Sequence, residues 1–251
     1  MSRRLIGKHV LITGSSEGLG RQLALDFARE GAAAIAIVAR NGEKLESARE
    51  AISQIAPDAQ VLTITADVSE ESDIERIVAT TLDAFQGNLD VLINNASKLG
   101  PSPMPLLVDY PLGDFVSVFK TNVVAPFLLI QKLLPALINN QGRIINVTSD
   151  AGITGHPGWG AYGISKFALE GLSRTWSAEL AESGVKVNWV DPGDMNTAMH
   201  RSAEPDEDPS QWADPSAVTD IFIHLASDES NENGKRFLAQ EDESHEYQLQ
   251  L

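Results

Sequence analysis

Tyr162 and Lys166 stand one helical turn apart in the run Tyr162-Gly-Ile-Ser-Lys166, with Ser149 upstream. Side chains four apart share a helix face, so the Lys166 ammonium can sit beside the Tyr162 phenol and favour its ionised form. A phenol near its ordinary value of about 10 is a poor base at neutral pH. Lowered by an adjacent cation, it can give and take the proton of an alcohol–ketone pair. Taken alone, Tyr-x-x-x-Lys more often marks a half-buried tyrosine beside a solvated lysine on an amphipathic helix. The motifs that accompany it, and their order, decide between the two.

The first of these is Thr13-Gly14-Ser15-Ser16-Glu17-Gly18-Leu19-Gly20, which follows the strand-like run Val10-Leu11-Ile12. Gly14, Gly18 and Gly20 let the backbone turn tightly and let a pyrophosphate approach the N-terminus of the next helix. Ser16 and Leu19, between them, are expected to share that contact. Dinucleotide-binding domains place a carboxylate about 20 positions further on to accept from a ribose 2′-hydroxyl. Here that position is Arg40. A guanidinium suits a 2′-phosphate, so NADP (NADPH when reduced) is the expected cofactor. NAD stays open, because Glu17 puts a carboxylate near the same phosphate and Arg40 could pair with it.

A further feature lies in the helical run Val116–Ile138. Pro126 has no N–H to bond the carbonyl four residues before it, so the Asn122 carbonyl is left free for another partner. The alternative is a plain helix kink.

In order and spacing, the glycine loop, Asn94-Asn95-Ala96, Asn122, Ser149, the Tyr162/Lys166 pair and Pro192-Gly193 resemble the short-chain dehydrogenase/reductase family. The resemblance runs from about Gly7 to Thr197 and more loosely over Pro215 to Ala239. It implies a carbonyl–alcohol interconversion on a small molecule by hydride transfer. In it, Ser149 orients the substrate oxygen, Tyr162 transfers the proton and Lys166 also holds the nicotinamide ribose. Asn122 holds a water that links Lys166 to solvent. Asp67 would meet the adenine with Val68 beside it, and Asn94 and Ala96 the ribose side. Asp67 as the N-cap of a helix through Ser69-Glu70-Glu71 stays open as well. Pro192, Gly193, Met195 and Thr197 would cover the nicotinamide, Met195 through its backbone and Thr197 through its hydroxyl. A nicotinamide-sensing protein without turnover is the competing reading, although such a protein has no chemical use for the Asn122/Ser149/Tyr162/Lys166 set.

Strand-like runs at Val10–Ile12, Ala34–Val38, Val61–Thr65, Val91–Ile93, Arg143–Val147, Val185–Val190 and Arg236–Ala239 alternate with amphipathic stretches. That alternation predicts a single doubly wound, Rossmann-type α/β domain over 1–251, a mostly seven-stranded parallel sheet with helices on both faces. Ligands then sit beyond the carboxyl ends of the strands, where the glycine loop, Asn94, Ser149 and Pro192 fall. The substrate pocket is expected from Ser97–Pro103, Asp150–Trp159 and the segment after Thr197, with Leu99, Ile153, Trp159 and Met199 lining it and Trp212 folding over.

With 251 residues, 43% of them hydrophobic, the chain can bury a substantial core. A formal charge of −16 opposes phosphate backbones and anionic lipid heads, so neither nucleic acid nor membrane is an expected partner. No cysteine is present, and His9, His156, His200, His224 and His245 lie scattered, so no metal site is expected. Met1-Ser2-Arg3-Arg4 leads straight into the first strand-like run without a signal-peptide pattern, and the expectation is a cytoplasmic protein. Residues 197–215, polar, acidic and punctuated by Pro205, Pro209 and Pro215, read as a lid-like loop, and the acidic tail 240–251 as disordered. Phe237-Leu238-Ala239-Gln240 stands where many relatives carry Asp-Gly-Gly, which puts the usual C-terminal tetramer contact in doubt. A homodimer or homotetramer remains the expectation, through Val116–Ile138 and Tyr162–Ala181.

Overall fold

The computed structural model describes residues 3–240; the disorder expected of the acidic tail concerns, past Gln240, residues outside that range. Seven strands form one sheet: β1 (His9–Thr13), β2 (Ala34–Ala39), β3 (Gln60–Thr65), β4 (Val91–Asn94), β5 (Arg143–Val147), β6 (Lys186–Asp191) and β7 (Arg236–Leu238). Their spatial order is β3-β2-β1-β4-β5-β6-β7, every pair parallel. The order reverses between β1 and β4, which opens a crevice at the carboxyl ends of the strands.

Successive strand residues point to opposite faces, and the two faces carry two cores. Val10, Ile12, Ile35, Ile37, Val91, Ile93 and Ile145 pack with α1 (Gly18–Arg29), α2 (Gly42–Ile55) and α8 (Asp220–Ala226). Leu11, Ala36, Val38, Leu92, Ile144 and Val187 face the other way, onto α3 (Glu71–Ala84) and α5 (Ala125–Asn139). The sheet is therefore covered on both sides, which is why its strands read as nearly unbroken apolar runs.

The helix expected over Val116–Ile138 is made of three pieces. α4 (Leu112–Phe119) runs into a π-turn at Lys120–Val124, where the Ala125 N–H reaches back to the Lys120 carbonyl, and α5 follows. Pro126 is the cause: it offers no donor to Asn122, and the wider π-turn absorbs the mismatch without a break. The whole stretch Leu112–Asn139 is long and apolar enough to cross a membrane by length and composition. Leu129, Ile130, Leu133 and Leu137 are instead buried against the sheet. Between 197 and 215 the expected loop holds α7 (Ala198–Ala203), capped by Thr197, whose Oγ1 accepts from the His200 N–H at 3.2 Å. Met195 and Ala213 bridge the base of this segment. The remaining helix, α6 (Gly160–Glu179), carries Tyr162 and Lys166 on its buried face.

Candidate active site

A cavity of about 430 Å³ opens beyond the carboxyl ends of the strands. At one end lies the glycine loop. Gly14 has φ +67°, and a Cβ there would come within 2.8 Å of the Ala96 Cα; one on Gly20 would collide with the Gly14 carbonyl. Asn95 Nδ2 donates to the carbonyls of Thr13 (2.9 Å) and Gly14 (3.0 Å), and Thr13 Oγ1 accepts from the Asn95 (3.1 Å) and Ala96 (3.0 Å) N–H groups. The loop is thus stitched to the end of β4. Glu17, at the N-cap of α1, gives the helix no side-chain hydrogen bond. The N–H groups of Gly18, Leu19 and Gly20 therefore have no side-chain acceptor and border the cavity, an arrangement suited to an anion.

Further along, Arg40, Lys44, Asp67 and Val68 border the same cavity. Glu17 pairs with Lys44 (2.6 Å) and not with Arg40, the partner considered from the sequence. Arg40 Nη1 stands 4.0 Å from Asp67 Oδ2. Asp67 is not the N-cap of α3, a place taken by Glu70; its Oδ1 accepts from the Ser69 N–H (2.9 Å) and hydroxyl (2.8 Å) in a local turn.

At the other end Ser149, Tyr162 and Lys166 come together. The Ser149 hydroxyl stands close enough to the Tyr162 phenol to favour its ionised form. That hydroxyl donates to Asp150 Oδ1 (2.8 Å), and Asp150 Oδ2 meets His156 Nε2 (2.8 Å). Lys166 Nζ lies 5.3 Å from the Tyr162 ring centroid and donates to the Val147 carbonyl at 2.8 Å. Burial pushes the Tyr162 phenol well above its ordinary value; the Ser149 hydroxyl opposes this, and the Asp191 and Asp150 carboxylates add to it. Burial pushes Lys166 down to about 8, against the pull of Asp191 and Glu170. An ammonium beside a phenol would by itself favour the ionised form. Here desolvation wins, because both groups are out of water and the ammonium spends a hydrogen bond on a backbone carbonyl. Burial thus holds the Tyr162 phenol neutral. Burial works against ionisation of Asp150 too, but donors from Ser149, the Ala151 N–H and His156 together hold its carboxyl below the usual range.

Beneath this constellation lies a buried charge network that the sequence reading missed. Arg236 of β7, almost fully buried, bonds Glu170 Oε1 (3.0 Å), Asp191 Oδ2 (2.7 Å) and the Ser149 carbonyl (3.2 Å). Glu170 also accepts from Thr148 Oγ1 (2.9 Å) and pairs with Arg174 (3.1 Å), while Asp191 Oδ1 accepts from the Gly193 N–H at 3.0 Å. The signal was a charged residue in a strand at the sheet's edge, but its partners lie 45 and 66 positions away.

Of the residues anticipated from sequence, Gly14, Ser16, Gly18, Leu19, Gly20, Arg40, Asp67, Val68, Ala96, Ser149, Tyr162, Lys166, Pro192, Gly193, Met195 and Thr197 all border the cavity. Asn94 and Asn122 do not. Asn94, the last residue of β4, turns inward and donates to Asn146 Oδ1 (2.8 Å), whereas Asn95 takes the cavity side. The Asn122 side chain locks two segments: Oδ1 accepts from the Lys98 N–H (2.7 Å), and Nδ2 donates to the Lys98 carbonyl (3.0 Å) and Ser165 Oγ (2.9 Å). Leu99, Trp159 and Met199 line the substrate end as anticipated; Ile153 is outside it, and Trp212 packs edge-on against His200, which lines it. Among the described residues no three His, Cys, Asp or Glu side chains gather as a metal site.

A doubly wound sheet with a glycine loop at a helix N-terminus defines a dinucleotide-binding fold, and Ser149, Tyr162 and Lys166 border the same cavity as that loop. Residues 8–208 match the short chain dehydrogenase family, and the chain belongs to it. It is 34% identical over 236 residues to an uncharacterized oxidoreductase, YciK, of Escherichia coli strain K12, covering 92% of this chain and 91% of the relative. The fold superposes with a TM-score of 0.89 on a short chain dehydrogenase from Salmonella enterica serovar Typhi, 31% identical, covering 96% of this chain and 99% of that one. A Shigella flexneri structure assigned to the same family and complexed with NADP gives a TM-score of 0.87 at 30% identity, covering 96% and 100% of the two chains.

Proposed function

We propose that this chain is an NADP(H)-dependent oxidoreductase that interconverts a carbonyl and an alcohol on a small molecule, with Tyr162 as the acid/base. The observation that carries the reading is the convergence of Ser149, Tyr162 and Lys166 on the cavity that the glycine cradle also borders. The cradle fits a dinucleotide: the absence of a Cβ at Gly14 and Gly20 lets the loop fold tightly on itself and on the end of β4, which keeps the N-terminus of α1 at the cavity, where its N–H groups offer donors to a pyrophosphate. A bound nicotinamide would supply or accept the hydride at the substrate carbon. Tyr162, neutral, gives its proton to the oxygen of a carbonyl; in the reverse direction it is the phenolate left behind that takes a proton from an alcohol. Ser149 orients that oxygen, and Asp150 orients Ser149. Lys166 offers its ammonium to the ribose, with Pro192, Gly193, Met195 and Thr197 walling the nicotinamide end. Residues 197–215 act as the cover.

Leu99, Trp159, Met199 and Ala203 make the substrate end largely apolar, and the charged residues Lys98, Asp150 and Asp194 on the cavity wall sum to a negative charge, which favours a neutral or cationic compound. Half-exposed apolar side chains on α4 to α6, among them Val116, Phe127, Ile164 and Phe167, suit a homodimer, which a sedimentation mass would check. Titration with NADPH and NADH, followed by a carbonyl panel monitored through nicotinamide absorbance, tests the function. Binding without turnover across the panel would favour the cofactor-sensing alternative.

A pH dependence follows from Lys166. The charged amine is the better donor to a ribose hydroxyl, and it loses its proton near pH 8. The dissociation constant of NADPH should therefore rise as pH rises through about 8, and calorimetric titration should find that rise absent in Lys166→Met.

A further inference from the structure

The adenosine end of the cavity carries four charges of balanced sign, Glu17, Arg40, Lys44 and Asp67. They are not held alike. Asp67 is already committed to Ser69, and Arg40, 77% exposed, stands at 4.0 Å from it, so its guanidinium keeps most of its donors for another partner. Lys44 is different: its Nζ is clasped by Glu17 Oε2 at 2.6 Å, with both side chains about half exposed. Glu17 sits at the N-cap of α1, yet its carboxylate ignores the helix donors next to it and reaches across to α2. Lys44 lies in the first turn of α2, where the helix dipole favours an anion and disfavours a lysine.

We propose that Lys44 is the second cation for the cofactor's 2′-phosphate and that Glu17 holds it in reserve, so that exchange of one ion pair decides between the phosphorylated and unphosphorylated nucleotide. This rests on the reading of the cavity as an NADP(H) site. A 2′-phosphate beside Arg40 brings a dianion to the N-terminus of α2. The flexible lysine stem can swing its ammonium from Glu17 to that phosphate, whereas Arg40 meets it in place. An exposed pair contributes little to stability, so the exchange costs little. Glu17 then remains as a lone carboxylate near the phosphate and weakens its binding. With an unphosphorylated ribose Lys44 stays on Glu17, and the pair has no effect.

The test is calorimetric titration of wild type, Glu17→Gln, Lys44→Met and the double variant with NADPH, NADH and 2′-AMP. Lys44→Met should weaken NADPH and 2′-AMP roughly ten-fold, in line with loss of a charge-assisted contact. Glu17→Gln should tighten both by roughly three- to five-fold, the size of an exposed charge interaction. NADH should move less than about two-fold in either variant, and the gain from Glu17→Gln should shrink once Lys44 is methionine. If wild type binds NADPH while Lys44→Met leaves NADPH and 2′-AMP unchanged, the inference is overturned and the cofactor reading stands. Equal weakening of NADPH and NADH also overturns it, since the lysine would then serve the loop and not the phosphate. If wild type binds neither nucleotide, the cofactor reading falls and takes the inference with it.

Discussion

Replacing Tyr162 with Phe lowers kcat by about 10²- to 10⁴-fold, the range in which a positioned general acid contributes, while the dissociation constant of NADPH moves less than about two-fold. The ring is buried between Trp159 and Lys166, and its packing survives the substitution. What is lost is the phenol hydroxyl at the cavity wall beside Ser149. Because burial keeps the phenol protonated, the donor state is present across the neutral range, and the loss in carbonyl reduction should be uniform between about pH 6 and 8. Steady-state rates with one carbonyl substrate, together with a cofactor titration of the variant, measure both quantities. Retention of more than about a tenth of wild-type kcat would remove Tyr162 from the chemistry.

Arg236→Met should destabilise the fold by about 3–5 kcal/mol, because it leaves two buried carboxylates without their shared cation. Glu170 is fully buried and Asp191 nearly so, and Arg236 bonds both. Burial already pushes Asp191 above the ordinary carboxylate range, opposed by the Gly193 N–H and Arg236. Removing Arg236 pushes it further in the same direction. A carboxyl whose folded-state value is raised holds its proton longer in the native state than in the unfolded chain, so its contribution to stability falls as pH rises through that window. The variant's deficit should therefore be smaller at mildly acidic pH than at pH 8. Urea denaturation at both values reads this directly. A loss below about 1 kcal/mol at pH 8 would mean that the carboxylates find other partners. The Ser149 carbonyl, also held by Arg236, should loosen with the variant.

The cradle and the Tyr162/Lys166 pair were legible because each is written locally, whereas Ser149 came with the family resemblance. Gly14, Gly18 and Gly20 are required within one loop, and Tyr162 and Lys166 within one helical turn, so spacing along the chain stands in for distance in space. Asn94 and Asn95 show where that substitution fails. Adjacent strand-end residues point to opposite sides, and nothing in Asn94-Asn95-Ala96 says which side is the cavity; the structure gives it to Asn95. Asn122 was marked by the order of the family motifs and, for its carbonyl, by Pro126, yet its side-chain role, joining Lys98 to Ser165, needed coordinates.

Fold and chemistry differ in this respect from electrostatics, and the reason is physical. Alternating apolar runs, turn glycines and helix-spaced pairs act over a few residues, so the chain alone specified the seven-stranded sheet and the family to which it belongs. Charge interactions depend on distance and burial, which sequence separation does not encode. Only the folded chain could place Arg236 under Ser149, give Lys44 and not Arg40 to Glu17, and let desolvation keep the Tyr162 phenol protonated beside a lysine.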